Sequence, residues 1–206
     1  MSVITYFFHS ILNHKLNRDI AWTFASFAIL AVSGVLMNIL IVLFRDAASL
    51  GVFNLSYSIY LIGSQVAVMG IHNSVMRYSA YYHDDPFERG GMFCSAMLLT
   101  LMLGVTIGLL VYFSTPLFEN LFSSREAAEA IGYTGFGLML FPLNKVLIGY
   151  INGIRHMRAL AILQTSRYLT VLLAVALISI SDSQFTYVSL SFFAVLLYFI
   201  ALLIRF

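Results

Sequence analysis

The sequence predicts an all-α integral membrane protein with six transmembrane helices. Of its 206 residues, 61% are hydrophobic and only 10% are charged, and the mean hydropathy is +0.92. A soluble domain, by contrast, is about half apolar and a quarter charged. Six apolar runs have roughly the 20 residues that a helix needs to cross the hydrocarbon core of a bilayer. Because each run is continuous rather than alternating, the pattern indicates helices and not the strands of a barrel.

The six predicted spans follow one another with short connections. They cover 20–44, 52–72, 92–113, 131–151, 159–180 and 185–204. Together they form one transmembrane region over 20–206, without space for an extramembrane domain that has its own core. In residues 1–19, apolar side chains recur at helical spacing, which predicts an amphipathic segment on the cytoplasmic interface.

Basic residues in the connections predict the orientation. Seven of them fall on one side of the membrane and two on the other, and the side richer in Lys and Arg faces the cytoplasm. Both termini are therefore predicted to be cytoplasmic. The two outer residues are Arg45 and Arg125; the seven inner ones are Lys15, Arg18, Arg77, Arg89, Arg155, Arg158 and Arg205.

Charge and motif content argue against several classes of function. A net charge of +2 gives no basic field for nucleic acid, and the lone Cys94 can form neither an internal disulfide nor a cysteine metal site. The acidic cluster at 84–88 has oxygen ligands suited to Mg²⁺, but a second acidic cluster is absent. No metalloprotease, hydrolase or P-loop signature occurs. We predict no enzymatic activity, no metal and no cofactor.

Two cations fall inside the predicted spans, and no acidic residue does, since the sequence places every Asp and Glu in tails or connections. Counted at about 1.5 Å per residue, Lys145 lies roughly 9 Å and Arg167 roughly 12 Å from the inner ends of their spans. A lone cation at such depth costs about 3 kcal/mol on insertion scales. Both residues are therefore candidates for binding an anionic headgroup. Snorkelling to the interface is the alternative for Lys145.

Polar side chains on several spans are candidates for lining a cavity. Lys145, Gly149 and Asn152 share one helix face, and the alternative for such faces is a seam that holds two helices together. Pro142 removes one backbone hydrogen bond and predicts a hinge beside Lys145. Gly104 and Gly108 form a G-x-x-x-G motif that predicts close helix packing. The candidate cavity residues are Asn38, Asn54, Ser58, Gln65, Asn152 and Gln164.

Three stretches carry a family resemblance. Residues 44–55 read FRDAASLGVFNL, residues 70–78 read GIHNSVMRY, and residues 149–155 read GYINGIR. In order along the chain, they resemble the N-terminal half of Wzx-type polysaccharide flippases, bacterial members of the MOP exporter superfamily. The resemblance implies a transporter of the bacterial cytoplasmic membrane. Its expected substrate is an undecaprenyl-diphosphate-linked oligosaccharide, such as an O-antigen or other surface polysaccharide repeat unit.

The resemblance also implies site residues and partners. Binding of the lipid diphosphate is assigned by analogy to Arg77, Lys145 and Arg167, with Arg45 as a further candidate. Flippases of this family have two six-helix lobes, so this chain is expected to act as one lobe with a C-terminal lobe or a second copy. Two alternatives remain: a lobe of a MATE-like drug exporter, and a membrane scaffold whose polar residues only hold helices together.

Overall fold

A computed structural model describes residues 15–180, which contain seven helices and no strand. The all-helical prediction is confirmed for this part of the chain. Most of the predicted interfacial segment and the whole predicted sixth span lie outside the described residues. The helices are α1 (Lys15–Phe44), α2 (Ala47–Val68), α3 (Ile71–Tyr81), α4 (Pro86–Phe113), α5 (Thr115–Phe122), α6 (Arg125–Gly153) and α7 (Met157–Ile180).

Within the described part, three helices are long and apolar enough to cross a membrane: α1, α4 and α6. The bent pair of α2 and α3 becomes a fourth such segment if the two helices form one span. Helix α7 covers the predicted fifth span. These findings support a membrane-embedded helical protein.

Helices α4 and α6 are longer than the predicted spans because their polar first turns are capped. Helix α4 begins at Pro86, where the Asp85 side chain accepts hydrogen bonds from the next turn, and α6 begins after Ser124, which caps it in the same way. The prediction that all acidic residues lie in tails or connections is therefore wrong. Glu88 and Glu126 lie in the first turns of α4 and α6, where a helix N-terminus favours negative charge. Asp19, Glu119 and Glu129 lie further along their helices. Residues 15–19, predicted to belong to the interfacial segment, form the first turns of α1.

The second predicted span is not one straight helix. Helix α2 ends at Val68, α3 starts at Ile71, and the two axes differ by 50°. Met69 and Gly70, between them, both have left-handed backbone angles, with φ of 45° and 79°, which terminate a helix and which glycine adopts without strain. The prediction of continuous helix over 52–72 is wrong at this point, because apolar composition does not report the direction of the backbone.

Helix α6 is the centre of the bundle. In its most apolar window 61% of the residues are buried, against 11% for α1 and 17% for α4. Helices α2, α3, α4 and α5 all pack on α6, whereas α1 packs mainly along α7. The described part thus consists of a group around α6 and an α1/α7 pair, with fewer contacts between the two.

Glycines bring α4 and α6 into close contact. A Cβ atom added to Gly108 would lie 2.5 Å from the backbone oxygen of Gly135, and one added to Gly135 would lie 2.5 Å from the oxygen of Gly108. One turn away, a Cβ atom added to Gly104 would lie 3.1 Å from the backbone oxygen of Leu138 and 2.9 Å from that of Met139. The predicted packing role of the G-x-x-x-G motif is confirmed.

The contacts place the basic connections at one end of the bundle. Gly153, at the end of α6, packs on Ser79 near the end of α3. The guanidinium of Arg158 lies 5.6 Å from the ring centroid of Trp22, near the start of α1. The α3–α4 and α6–α7 connections and the start of α1 therefore share one end, as the charge pattern predicts. Arg18, Arg77, Arg89, Arg155 and Arg158 lie at this end.

The exposed Asp46 caps α2 between the first two long helices. Its carboxylate accepts a 2.7 Å hydrogen bond from the backbone N–H of Ser49. Hydrogen bonding to Ser49, through its side chain first and then through this N–H, holds the pKa of Asp46 below its usual value of 3.8. Asp46→Ala is expected to speed hydrogen exchange at the Ser49 amide. Because the pKa is lowered in the folded state, this stabilisation is present above about pH 4 and is lost as the pH falls through the lowered pKa. Wild-type exchange that equals that of the variant at pH 7 would contradict this prediction.

Candidate cavity between the α1/α7 pair and the central group

A cavity of about 390 Å³ lies where the α1/α7 pair meets α2 and α6. It is mainly apolar, with one charged side chain, that of Arg167, in its wall. The α1/α7 pair contacts α2 and α6 less than α1 and α7 contact each other. The lining residues that matter below are Gly34, Asn38, Phe53, Asn54, Tyr57, Tyr60, Phe141, Arg167, Tyr168 and Val171.

Arg167 is placed in the cavity by α7. Its guanidinium donates a hydrogen bond to the hydroxyl of Tyr168 and lies 4.4 Å from the centroid of that ring. It also lies 5.3 Å from the ring centroid of Phe141 on α6. Cation–π contacts of this kind stabilise a cation most where water is scarce. No Asp or Glu lines the cavity among residues 15–180. The guanidinium therefore has aromatic and hydroxyl neighbours but no carboxylate from the described part of the chain.

Four aromatic rings form a continuous wall that leads to Arg167. Phe53 and Tyr57 have ring centroids 6.0 Å apart, Tyr57 and Tyr60 6.2 Å, and Tyr60 and Phe141 4.8 Å. We call these four residues the aromatic ladder. Three of them fall on one face of α2 because their spacing of four and three residues matches the helical repeat. The ladder gives the cavity a wall that accepts apolar groups along its length.

Lys145 also lies near the Phe141 ring, but it does not line the cavity. Its ammonium is 5.6 Å from that ring centroid and donates hydrogen bonds to Ser64 Oγ at 2.9 Å and Gln65 Oε1 at 3.0 Å. Because Arg167 lies 5.3 Å from the same centroid, the two cations are at most about 11 Å apart. One aromatic ring thus contacts two positive charges that have different surroundings.

The face of α6 that carries Lys145 is a helix–helix seam. A Cβ atom added to Gly149 would lie 2.4 Å from the backbone oxygen of His72, and one added to Gly153 would lie 2.4 Å from that of Met76. Asn152 donates a hydrogen bond to Met76 Sδ at 3.2 Å. Lys145 thus binds α2 before its break, while Gly149, Asn152 and Gly153 contact α3 after it. Of the two interpretations that the sequence left open for this face, the structure favours the seam.

The remaining predicted site residues divide by position. Asn38 and Asn54 line the cavity together with Arg167. The Ser58 hydroxyl instead donates to the backbone oxygen of Asn54, and Gln164 is outside the lining. Gln65 takes part in the seam through Lys145.

Three further predicted residues lie away from the cavity. Arg45 and Arg77 are exposed, at the end of α1 and on α3. Pro142 is fully buried inside α6, which continues as one helix through it. Bending at Pro142 remains a prediction.

The sequence analysis missed the aromatic residues of the site. Tyr57, Tyr60, Phe141 and Tyr168 surround Arg167, yet only polar residues were considered as cavity lining. The spacing of Phe53, Tyr57 and Tyr60 along one helix face was a signal that could have identified the wall. Phe141 and Tyr168 gave no comparable signal, because their neighbours come from other helices.

Comparisons with protein-family models, with curated proteins and with solved structures find no match to this chain.

Proposed function

We propose that the chain is one lobe of a flippase in the bacterial cytoplasmic membrane. Its substrate would be a polyprenyl-diphosphate-linked oligosaccharide, carried from the inner to the outer leaflet for surface polysaccharide synthesis. The observation that carries the proposal is Arg167, a cation in the wall of an apolar cavity with no carboxylate beside it in the described residues. An intramembrane cation without a carboxylate partner favours an anionic ligand.

Two features support this proposal over a drug exporter of the MATE type. A site for organic cations needs intramembrane carboxylates, and the lining of this cavity has none within the described residues. The end of the bundle that carries Arg18, Arg77, Arg89, Arg155 and Arg158 would face the cytoplasm, with both termini on that side and six spans in total. These arginines would meet the anionic headgroup before Arg167 does.

The cavity is smaller than the proposed substrate. A volume of about 390 Å³ is near the lower limit for small-molecule sites, so a lipid-linked oligosaccharide would fit only in part. A complete path would require a second lobe, supplied by a partner chain or by another copy of this one. The α1/α7 pair and the α6 group would then form one wall of that path.

The first test is complementation of a flippase-deleted bacterium by the full chain, alone and with a C-terminal lobe from the same family. We expect surface polysaccharide to be restored when both lobes are present. Arg167→Ala should lower it about tenfold or more, because charge-assisted hydrogen bonds contribute about 1.5–3 kcal/mol. The protein level in the membrane is measured in parallel.

Arg125→Ala is the matched control, because Arg125 pairs with Glu129 on the exposed start of α6 and lies outside the cavity. We expect normal export from this variant. Normal export from inserted Arg167→Ala protein would contradict the anion-binding role. Inserted protein that restores no export with a second lobe would instead indicate a scaffold.

A further inference from the structure

The cavity combines one cation with an aromatic wall, and this combination selects a chemical class of ligand. We propose that it binds a single-chain amphiphilic anion, with the anionic group at Arg167 and the apolar chain along the aromatic ladder. The inference rests on the proposed function, since it concerns the same cavity. It goes further by naming the part of a substrate, or the separate small amphiphile, that fits there.

The anionic end is defined by Arg167. A guanidinium has five N–H donors in a planar fork that matches carboxylate and phosphate oxygens. The contacts in the described part use one of them, for the Tyr168 hydroxyl, while the Phe141 and Tyr168 rings offer only π faces. Because the side chain lines the cavity, its other donors are available to a bound anion.

From residues 15–180, the cavity wall receives one cation and not two. Lys145 is another positive charge near the Phe141 ring, but its ammonium is bound to Ser64 and Gln65 and does not line the cavity. A second anionic group on the same ligand would therefore gain no direct partner. The cavity accordingly offers direct contacts to one carboxylate or phosphate group, which in a diphosphate would be one of its two phosphates.

The remainder of the cavity suits an aliphatic chain. Beyond the ladder, its walls include the apolar side chains of Leu30, Val35, Val171 and Leu172. Val35 is 59% exposed, and α1, on which it lies, is long and apolar enough to cross a membrane. At about 390 Å³, the volume suits one chain better than the two chains of a phospholipid.

The experiment uses the full-length chain in lipid nanodiscs and counts bound ligands by native mass spectrometry. The probes share a dodecyl chain and differ in the head: dodecyl phosphate is anionic, dodecyl maltoside is neutral, and dodecyltrimethylammonium is cationic. We expect saturable binding of one dodecyl phosphate per chain, at least tenfold tighter than that of the other two. Equal binding of all three would overturn the proposal, as would the absence of saturable binding.

Two variants test the two ends of the site. Arg167→Gln is expected to weaken dodecyl phosphate about tenfold and to leave dodecyl maltoside unchanged. Gly34→Leu should weaken the binding of dodecyl phosphate although Arg167 is still present. Gly34 lines the cavity and a Cβ added to it meets nothing within 4 Å, so a leucine side chain can occupy the space of the ligand's chain. Gly51→Leu is its matched control, since Gly51 also has open space but lies outside the cavity. Unchanged dodecyl phosphate binding by Gly34→Leu would overturn the proposed location, even if Arg167→Gln failed to fold.

Competition distinguishes the sources of such an anion. Laurate represents a free single-chain amphiphile and dioleoyl phosphatidylglycerol a bilayer phospholipid, and both are used to displace dodecyl phosphate. Stronger displacement by laurate supports the proposal, whereas stronger displacement by the phospholipid overturns its single-chain part. Export that depends on Arg167 without any amphiphile binding would contradict this inference alone. Binding with export that is insensitive to Arg167 would contradict the proposed function alone.

Discussion

Gly108→Ala is expected to destabilise the bundle more than any other single-methyl change on α4. The added Cβ would lie 2.5 Å from the backbone oxygen of Gly135 and 2.8 Å from Met139 Cγ. The first neighbour is backbone, so α4 and α6 would have to move apart. Overpacking of this kind costs roughly 1–3 kcal/mol. The measurement is the midpoint of thermal unfolding of the protein in nanodiscs, which should fall for Gly108→Ala and likewise for Gly135→Ala.

The chain offers a matched control on the same helix. A Cβ added to Gly91 meets nothing within 4 Å, so Gly91→Ala is expected to leave the midpoint unchanged or to raise it slightly, as alanine favours helix. The double variant at Gly108 and Gly135 should cost less than the sum of the single variants, because one separation of the helices relieves both contacts. Equal midpoints for Gly91→Ala and Gly108→Ala would show that the two helices are not packed this closely.

The fold class could be predicted from the sequence because it depends on composition and continuity. Apolar runs about 20 residues long require the backbone to satisfy its own hydrogen bonds, and a helix does so within one segment. The glycine pair on α4 could also be interpreted correctly, since small residues one turn apart indicate close packing whatever the partner helix is. Helix ends were less predictable: Asp85 and Ser124 extend α4 and α6 into sequence that is polar and therefore resembles a connection.

The break between α2 and α3 was beyond the sequence argument. Gly70 alone indicates little, because glycine is frequent within membrane helices, and Met69 normally favours helix. What stabilises the break is tertiary: α6 presents Gly149 and Gly153 to the backbone oxygens of His72 and Met76, so that α3 can lie close to it. Such a contact depends on which residues of two distant segments face each other.

The site was predictable only in part, for a similar reason. Depth in the membrane singled out both Lys145 and Arg167 as costly cations, and it assigned them the same role. The structure separates them through Phe141, whose ring contacts both charges. Arg167 borders open space, whereas the hydrogen bonds of Lys145 are to Ser64 and Gln65 in the last turns of α2. Sequence position gives depth, but it does not give the neighbours that determine what a charge does.

Lys145→Met is expected to loosen the break between α2 and α3 without weakening anion binding in the cavity. The change keeps an unbranched apolar stem and removes the hydrogen bonds to Ser64 and Gln65, which join α6 to α2 one turn before Met69. Their loss should speed amide hydrogen exchange over residues 66–74 about tenfold or more, because hydrogen bonds to a charged group contribute about 1.5–3 kcal/mol. Insertion should not suffer, since a charge that costs about 3 kcal/mol in the membrane is removed.

The same variant separates the two roles considered for Lys145. If it binds the anionic ligand, Lys145→Met should weaken dodecyl phosphate about as much as Arg167→Gln does, and exchange over residues 66–74 should stay as in the wild type. If it holds the seam, exchange should rise and dodecyl phosphate binding should persist. Gln65→Leu provides an independent check, because it removes one acceptor of the ammonium from the α2 side. It should speed exchange over the same residues, and combining it with Lys145→Met should add less than its own effect.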